Sequence, residues 1–448
     1  MKSRPVCKVW GCWTVLFLFL FAACSSTPTT SPLENITVTA TVPVEVAATP
    51  FETESIVSAV QIRQSEVELI TDTAATGDGG NIWGGHQTRV VRTDAGVFTA
   101  YTVSGKDELH RVWRLVRRNA VNDWVVVAEG DAGREPVNLL AAPDGTLYLV
   151  GWPEGVATLW AGKPIDGSVA MEAQVIPNMI QGNWPYSSAG IASDGTLCIV
   201  ASNGGEEPGG EFYWSCYLPA DRQWVSRISE LDFRYCYTYV FPQADGQFAL
   251  VSTRDVRWQA LGYEQPADSF DYAFNAIGFW RTDDLLNKPL ELISFDEEPP
   301  TAAYPLPFLN AQMDAYLDTH GNMHILYWRE GQTTGGERWV MHRILSRMGE
   351  ILFDERLPED SGYFNRIFQD SHGRFYILGS SGLLYPLDEN GEHPTKPIRI
   401  DLGGHEVEYS GYGLSVPRTG SALVNTIDVV FPSGNETQWL YFQIEFSE

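Results

Sequence analysis

Asp144-Gly145-Thr146-Leu147-Tyr148-Leu149-Val150 and Asp194-Gly195-Thr196-Leu197-Cys198-Ile199-Val200 carry one pattern, 50 residues apart. A glycine-containing turn is followed at once by a short apolar run. The same pattern stands at Asp94-Ala95-Gly96, Asp245-Gly246, Asp318-Thr319-His320-Gly321, Asp370-Ser371-His372-Gly373 and Thr419-Gly420. The intervals between successive glycines, from Gly96 to Gly420, are 49, 50, 51, 75, 52 and 47 residues. A fixed period of this length is the mark of a repeat architecture. The second and fourth positions after the glycine are apolar in all seven copies, and the fifth in every copy but the last, where Asn425 stands. A strand that is apolar on both faces must be covered on both faces. Asp-Gly marks a tight hairpin, and a two-residue turn with both central residues at positive φ is the expectation.

Each repeat supplies two further strand-like runs. In the third they are Phe212–Tyr217 and Trp224–Ile228, and in the fifth Trp339–Ile344 and Glu350–Phe353. With the run ahead of each turn this makes four strands per repeat, and four-stranded sheets repeated radially make a β-propeller. The expected fold is therefore all-β, a seven-bladed β-propeller of four-stranded blades. The last repeat, with Ala422-Leu423-Val424 and Trp439–Ile444 as strands, runs out one strand short. Glu66–Thr71 alternates like a strand upstream of the first complete blade, so it is expected to close the ring as the outer strand of the last one.

The chain reads as three parts: residues 1–23, residues 24–65 and the propeller at 66–448. Lys2, Arg4 and Lys8 precede an apolar run, Val15–Phe21, and then Ala22-Ala23-Cys24. This order of zones is a secretory signal, and its apolar run falls well short of the roughly 20 residues of a membrane-spanning helix. The small-small-Cys ending resembles a bacterial lipobox, with Phe21 where Leu is usual. The resemblance implies cleavage before Cys24 and lipidation of that cysteine. Residues 25–65 are rich in Thr, Ser, Pro, Val and Ala, a composition suited to a tether. The expected localisation is the cell envelope, outside the cytoplasm, with the membrane as partner through the lipid on Cys24.

The propeller layout resembles the broad group of bacterial sialidase-like and BNR-repeat proteins. The Asp-box pattern of that group is not matched; Asp318-Thr-His-Gly321 and Asp370-Ser-His-Gly373 come nearest and lack its Trp. The Phe/Tyr-Arg-Ile-Pro motif of sialidases is also absent, and Phe364-Asn365-Arg366-Ile367 is only a faint echo of it. The resemblance implies a glycoside-acting enzyme as the alternative to a binding module.

The net charge of −27 disfavours nucleic acid as a partner. Aromatic residues make up 12% of the chain, including 15 Trp and 19 Tyr. Three cysteines, Cys198, Cys216 and Cys236, remain after the leader. Export permits a disulfide among them, with buried inert thiols as the other reading. The repeated aspartates are read as turn caps. His320 and His372 occupy equivalent turns, too far apart to share a metal. No metal site and no cofactor are expected, and no Ser-His-Asp order or phosphate loop is visible.

The face opposite the Asp-Gly turns is more informative. Its loops hold Trp83, Trp184, Tyr186, Tyr235, Trp258 and Tyr263, then Trp328, Tyr363 and Tyr412. They also hold Arg234, Arg254, Asp255, Arg257, Arg329 and Glu330. The extra length of the fourth repeat, about Ser252–Asn275, belongs there too. Aromatics with a few charges suit a sugar or a peptide. Trp184, Tyr186, Arg234, Arg254 and Trp258, from blades two to four, are the expected ligand-binding set. The expected function is a non-enzymatic, surface-anchored module that binds a glycan, a peptide or a partner protein.

Overall fold

The structure is a computed structural model describing residues 61–204, 209–267, 269–331, 337–407, 411–416, 423 and 425–447. The signal segment, Cys24, the tether through residue 60 and the Thr419-Gly420 turn lie outside the described residues.

Six four-stranded antiparallel sheets follow one another, each with its strands side by side in chain order from inner to outer, and a seventh, composite sheet completes the set of blades. Blade one is Val90–Thr93, Gly96–Val103, Arg111–Arg118 and Trp124–Gly133. Blade four is Tyr235–Pro242, Phe248–Arg257, Tyr272–Thr282 and Glu291–Glu297. The extra residues of the fourth repeat lengthen its two middle strands and add a 3-10 turn, Trp258–Leu261, at their tip.

The last blade closes the ring as a composite. Its chain-terminal strands are Gly413–Leu414, Thr426–Ser433 and Gln438–Phe446; of the expected run Ala422–Val424, Ala422 and Val424 lie outside the described residues. Its outer strand comes from the N-terminal side. Glu68 and Leu69 pair with Tyr441 and Leu440, and Ile62–Gln64 pair with Phe446–Ile444. Pairing thus starts upstream of residue 66.

The turn chemistry is local and repeats. Asp144 Oδ1 accepts the backbone N–H of Thr146 at 3.0 Å, Asp194 Oδ1 that of Thr196 at 2.9 Å, and Asp370 Oδ1 that of His372 at 2.9 Å. Only the glycine takes positive φ, +80° at Gly145 and +86° at Gly195. The hairpin is therefore a type I turn with a left-handed glycine after it, one residue longer than the expected two-residue turn. Ala142 N–H bonds Thr146 O at 2.8 Å, and Gly145 N–H bonds Ala142 O at 2.9 Å.

Beyond the turn, Leu147, Leu149 and Val150 are fully buried, as are Leu197–Val200. Burying a side chain of this size stabilises by about 1.5–3 kcal/mol. The buried side chains form seven clusters among the described residues, each spanning two neighbouring blades. One of them joins Trp439 and Tyr441 of blade seven to Val90 and Val97 of blade one. In blade three Cys198 and Cys216 are cross-strand neighbours, Cα atoms 4.1 Å apart, joined in a disulfide. Cys236 is a buried free thiol.

This topology defines two faces. The turn face carries the Asp-Gly turns. The loop face carries the loops between second and third strands and the segments joining one blade to the next.

Candidate functional site on the loop face

The segment leading into blade one does not stay at the rim. Its Asn81–Gly84 turn is pinned by Asn81, whose Nδ2 donates to Thr102 O at 2.8 Å and whose Oδ1 accepts Thr102 N–H at 2.9 Å. The chain then runs inward. His86 Nε2 lies 3.0 Å from Ser187 O of the lead-in to blade three, and Gln87 Nε2 donates to Pro136 O of the lead-in to blade two at 3.1 Å. From the far side of the ring, Arg366 of blade six donates to Gly85 O at 2.6 Å. A segment tied at once to blades two, three and six must cross the axis on this face.

Beside this cap sits a cluster of rings and charges. Trp184, in the segment joining blades two and three, is 52% exposed. The Arg134 guanidinium lies 3.2 Å from its ring centroid, with Trp83 further off at 5.7 Å. Arg134 is itself buried and donates to the Glu135 carboxylate at 2.7 Å and to Asp78. Tyr186 and Tyr237 meet edge to face at 5.6 Å, and Tyr237 meets His86 at 5.4 Å. Both tyrosines hold positive φ, +40° and +57°. For a bulky side chain that is a strained backbone, a feature that clusters at ligand sites. Tyr237 sits where the pairing of the first two strands of blade four shifts register, and Gln312 of blade five donates to its carbonyl. Arg234 lies 5.5 Å from the Tyr186 ring and donates to the Asp255 carboxylate at 2.9 Å.

Burial sets the protonation of this cluster. It pushes the Glu135 carboxyl up to about 7, against the pull of Arg134. It pushes the His86 imidazole down to about 3, opposed by the Ser187 carbonyl and aided by repulsion from Arg89 and Arg366. His86 is therefore neutral at pH 7. Asp255 is also raised, again by burial, with Arg234 opposing.

The structure gathers three of the five expected site residues, Trp184, Tyr186 and Arg234, at this corner. Arg254 and Trp258 lie elsewhere. Arg254 is buried, donates to Asn275 Oδ1 at 2.9 Å and to Glu297, and lies between the Phe233 and Phe295 rings. Trp258 is fully buried and donates its indole N–H to Phe270 O at 2.9 Å, so it packs the insertion against itself. Arg134, Glu135, His86 and Tyr237 were not singled out from the sequence. Their signal was positional: His86, Arg134, Glu135, Tyr186 and Arg366 all lie within a few residues of the first residue of an inner strand. Aligning the repeats on that lead-in, instead of on the turn glycine, brings them within four positions of one another.

Arg366, in the faint motif echo, is buried on the axis among backbone acceptors. His320 and His372 each stand beside the aspartate of their own turn, at 3.8 and 3.9 Å. The turn face opens into a central cavity of about 1180 Å³, lined by the turns themselves, including Ala141–Gly145 and Val240–Ala244. Its two cationic groups are held by partners: Arg92 by Asp428 at 2.6 Å and Lys163 by Asp144 at 2.8 Å. The loop-face corner, with its strained tyrosines and perturbed carboxyls, is the stronger candidate.

No protein-family model matches this chain, and no curated protein matches it. Solved structures do. The polysaccharide lyase Uly1 is similar over 85% of this chain and 99% of its own, at TM-score 0.54 and 11% identity. An α-L-arabinanase of Penicillium chrysogenum, solved with arabinobiose, covers 68% of this chain and 93% of its own, at TM-score 0.44 and 12% identity. A protein of unknown function from Dyadobacter fermentans covers 86% and 99%, at TM-score 0.43 and 10% identity. At these identities the likeness is one of fold alone: the chain is a seven-bladed β-propeller.

Proposed function

We propose that this protein is an exported module, lipid-anchored at Cys24, that binds a glycan on its loop face. The observation that carries the reading is Trp184, half-exposed and stacked on a buried guanidinium whose charge is already paired. Such a ring is held rigid from below and offers its open surface to the apolar face of a sugar. The strained Tyr186 and Tyr237 pack against each other at the same corner. The Cys198–Cys216 disulfide agrees with an oxidising compartment outside the cytoplasm, as the leader implies. The polysaccharide named for Uly1 supports the choice of a glycan over a peptide.

The test is binding of the wild-type protein to an immobilised glycan array, repeated with Trp184→Ala. Binding should weaken at least tenfold, about 1.4 kcal/mol, with an unchanged melting temperature. Equal binding by the variant would remove Trp184 from the site and the reading with it.

One observation favours a second reading, glycan cleavage on the same face. Glu135, held near 7 by burial, has the protonation balance of a general acid or base at neutral pH. Release of new reducing ends by wild type, abolished in Glu135→Gln, would make the protein an enzyme. Binding without release leaves it a binding module.

A further inference from the structure

Trp184, Phe270 and Tyr363 are each more than half exposed, at 52%, 72% and 52%. All three stand on the loop face. Trp184 is in the segment leading into blade three, Phe270 in the loop between the middle strands of blade four, and Tyr363 in the segment leading into blade six. They mark an arc over roughly half the ring. At the Tyr363 platform an arginine again lies against the rings, here an exposed one. The Arg338 guanidinium lies 5.7 Å from the Tyr363 ring and 4.9 Å from that of Trp328, whose indole N–H donates to Tyr363 O at 3.2 Å.

The charges at these platforms are paired. Arg134 is held by Glu135 and Asp78, Arg234 by Asp255, and Arg338 by Glu330 at 2.8 Å. The platforms thus present ring surface without surplus positive charge. A net charge of −27 repels a polyanion from the whole molecule. Between the platforms the segment through His86 and Gln87 crosses the axis, which favours a ligand that lies across the face over one that descends along the axis. A single sugar covers one platform. Only a chain of several sugars reaches more than one, and linked contacts raise affinity beyond that of any one of them.

We propose that the loop face binds an extended, uncharged polysaccharide, seated on Trp184, Phe270 and Tyr363 together. This rests on the glycan reading above and adds the length and charge class of the ligand. The experiment is affinity electrophoresis of the full chain. The gels would contain neutral polymers (glucans, mannans, xylans, arabinans and galactans) or anionic ones (polyuronates and sulfated galactans). Titration with di- to octasaccharides of whichever polymer retards the protein would follow.

Retardation by a neutral polymer and by no anionic one is expected. Affinity should rise at least tenfold from disaccharide to octasaccharide. Phe270→Ala and Tyr363→Ala should each weaken octasaccharide binding at least fivefold and leave disaccharide binding unchanged, whereas Trp184→Ala weakens both. Retardation by anionic polymers alone overturns the charge class. Octasaccharide binding unaffected by Phe270→Ala and Tyr363→Ala overturns the extended ligand while the Trp184 site stands. No retardation by any polymer overturns both readings. The three side chains are exposed, and an unchanged melting temperature for each variant confirms that loss of binding is not loss of fold.

Discussion

Arg366 spends its guanidinium entirely on the axis. It donates to Tyr412 O at 2.5 Å, to Gly85 O at 2.6 Å, to the Tyr239 hydroxyl at 3.3 Å and to Met313 O, so one side chain ties blades four to seven and the cap. Arg366→Met should leave several buried acceptors unpaired and lower stability by roughly 3 kcal/mol or more in urea unfolding. Arg366→Lys, without the fork, should recover little of it. A small loss in both would show that the axis is held by packing alone. Glu135 makes a pH prediction at the same scale. Between its ordinary 4.5 and about 7 the folded carboxyl keeps a proton that the unfolded one has lost, so stability falls as pH rises through that window. The melting temperature of wild type should therefore drop relative to Glu135→Gln between pH 5 and pH 8. A gap that does not change with pH would mean that Arg134 keeps the carboxylate ionised throughout. His86 acts in the opposite sense: its stabilisation is present above 6.5 and is lost as pH falls toward 3.

The outer strand of blade seven is the element on which the ring depends. It pairs with Gln438–Phe446 and latches sideways onto blade one. Glu68 accepts from Arg118 at 2.5 Å and from the Trp124 indole at 3.2 Å, with both ion-pair partners mostly shielded from water. Deleting residues 61–72 should expose Gln438–Phe446 as a sheet edge, lower the melting temperature sharply and speed amide exchange in that strand. Deleting residues 27–58, read as tether, should leave both unchanged. Equal melting temperatures for the two deletions would mean that the ring does not need this strand. Glu68→Ala alone should cost about 1–2 kcal/mol, more than an exposed ion pair and less than a fully buried one.

At the scale of the whole molecule, the propeller divides labour between faces. The turn face repeats one capped hairpin, while the loop face differs from blade to blade and carries the exposed Trp184, Phe270 and Tyr363. Conserving the framework and varying the connections is how a rigid scaffold presents a site. The anchor prediction belongs here too. Wild type expressed in a bacterial host should partition into the detergent phase, and Cys24→Ala should be found unlipidated, either soluble or unprocessed. A Cys24→Ala protein that is cleaved and membrane-associated like wild type would end the lipobox reading.

The repeat, the strands and the ring closure were legible in the sequence because each rests on local chemistry. An aspartate caps its own turn, a glycine takes positive φ, and apolar side chains recur wherever a strand is covered on both faces. The candidate site was legible only in part. Arg234 and Arg254 look alike in sequence, yet the pairing of the middle strands of blade four shifts register between Arg254 and Asp255. That shift re-aims the side chains on either side of it. Asp255 turns toward Arg234 and the tyrosines, and Arg254 toward Glu297 and two phenylalanines. No residue pattern announces such a bulge. The cap across the axis is equally a product of the closed ring, because His86 and Ser187 stand 101 positions apart and meet only when three blades are assembled. Tertiary structure likewise decided the protonation of Glu135 and His86, since burial and the neighbouring guanidinium groups move a proton's balance and residue identity alone does not.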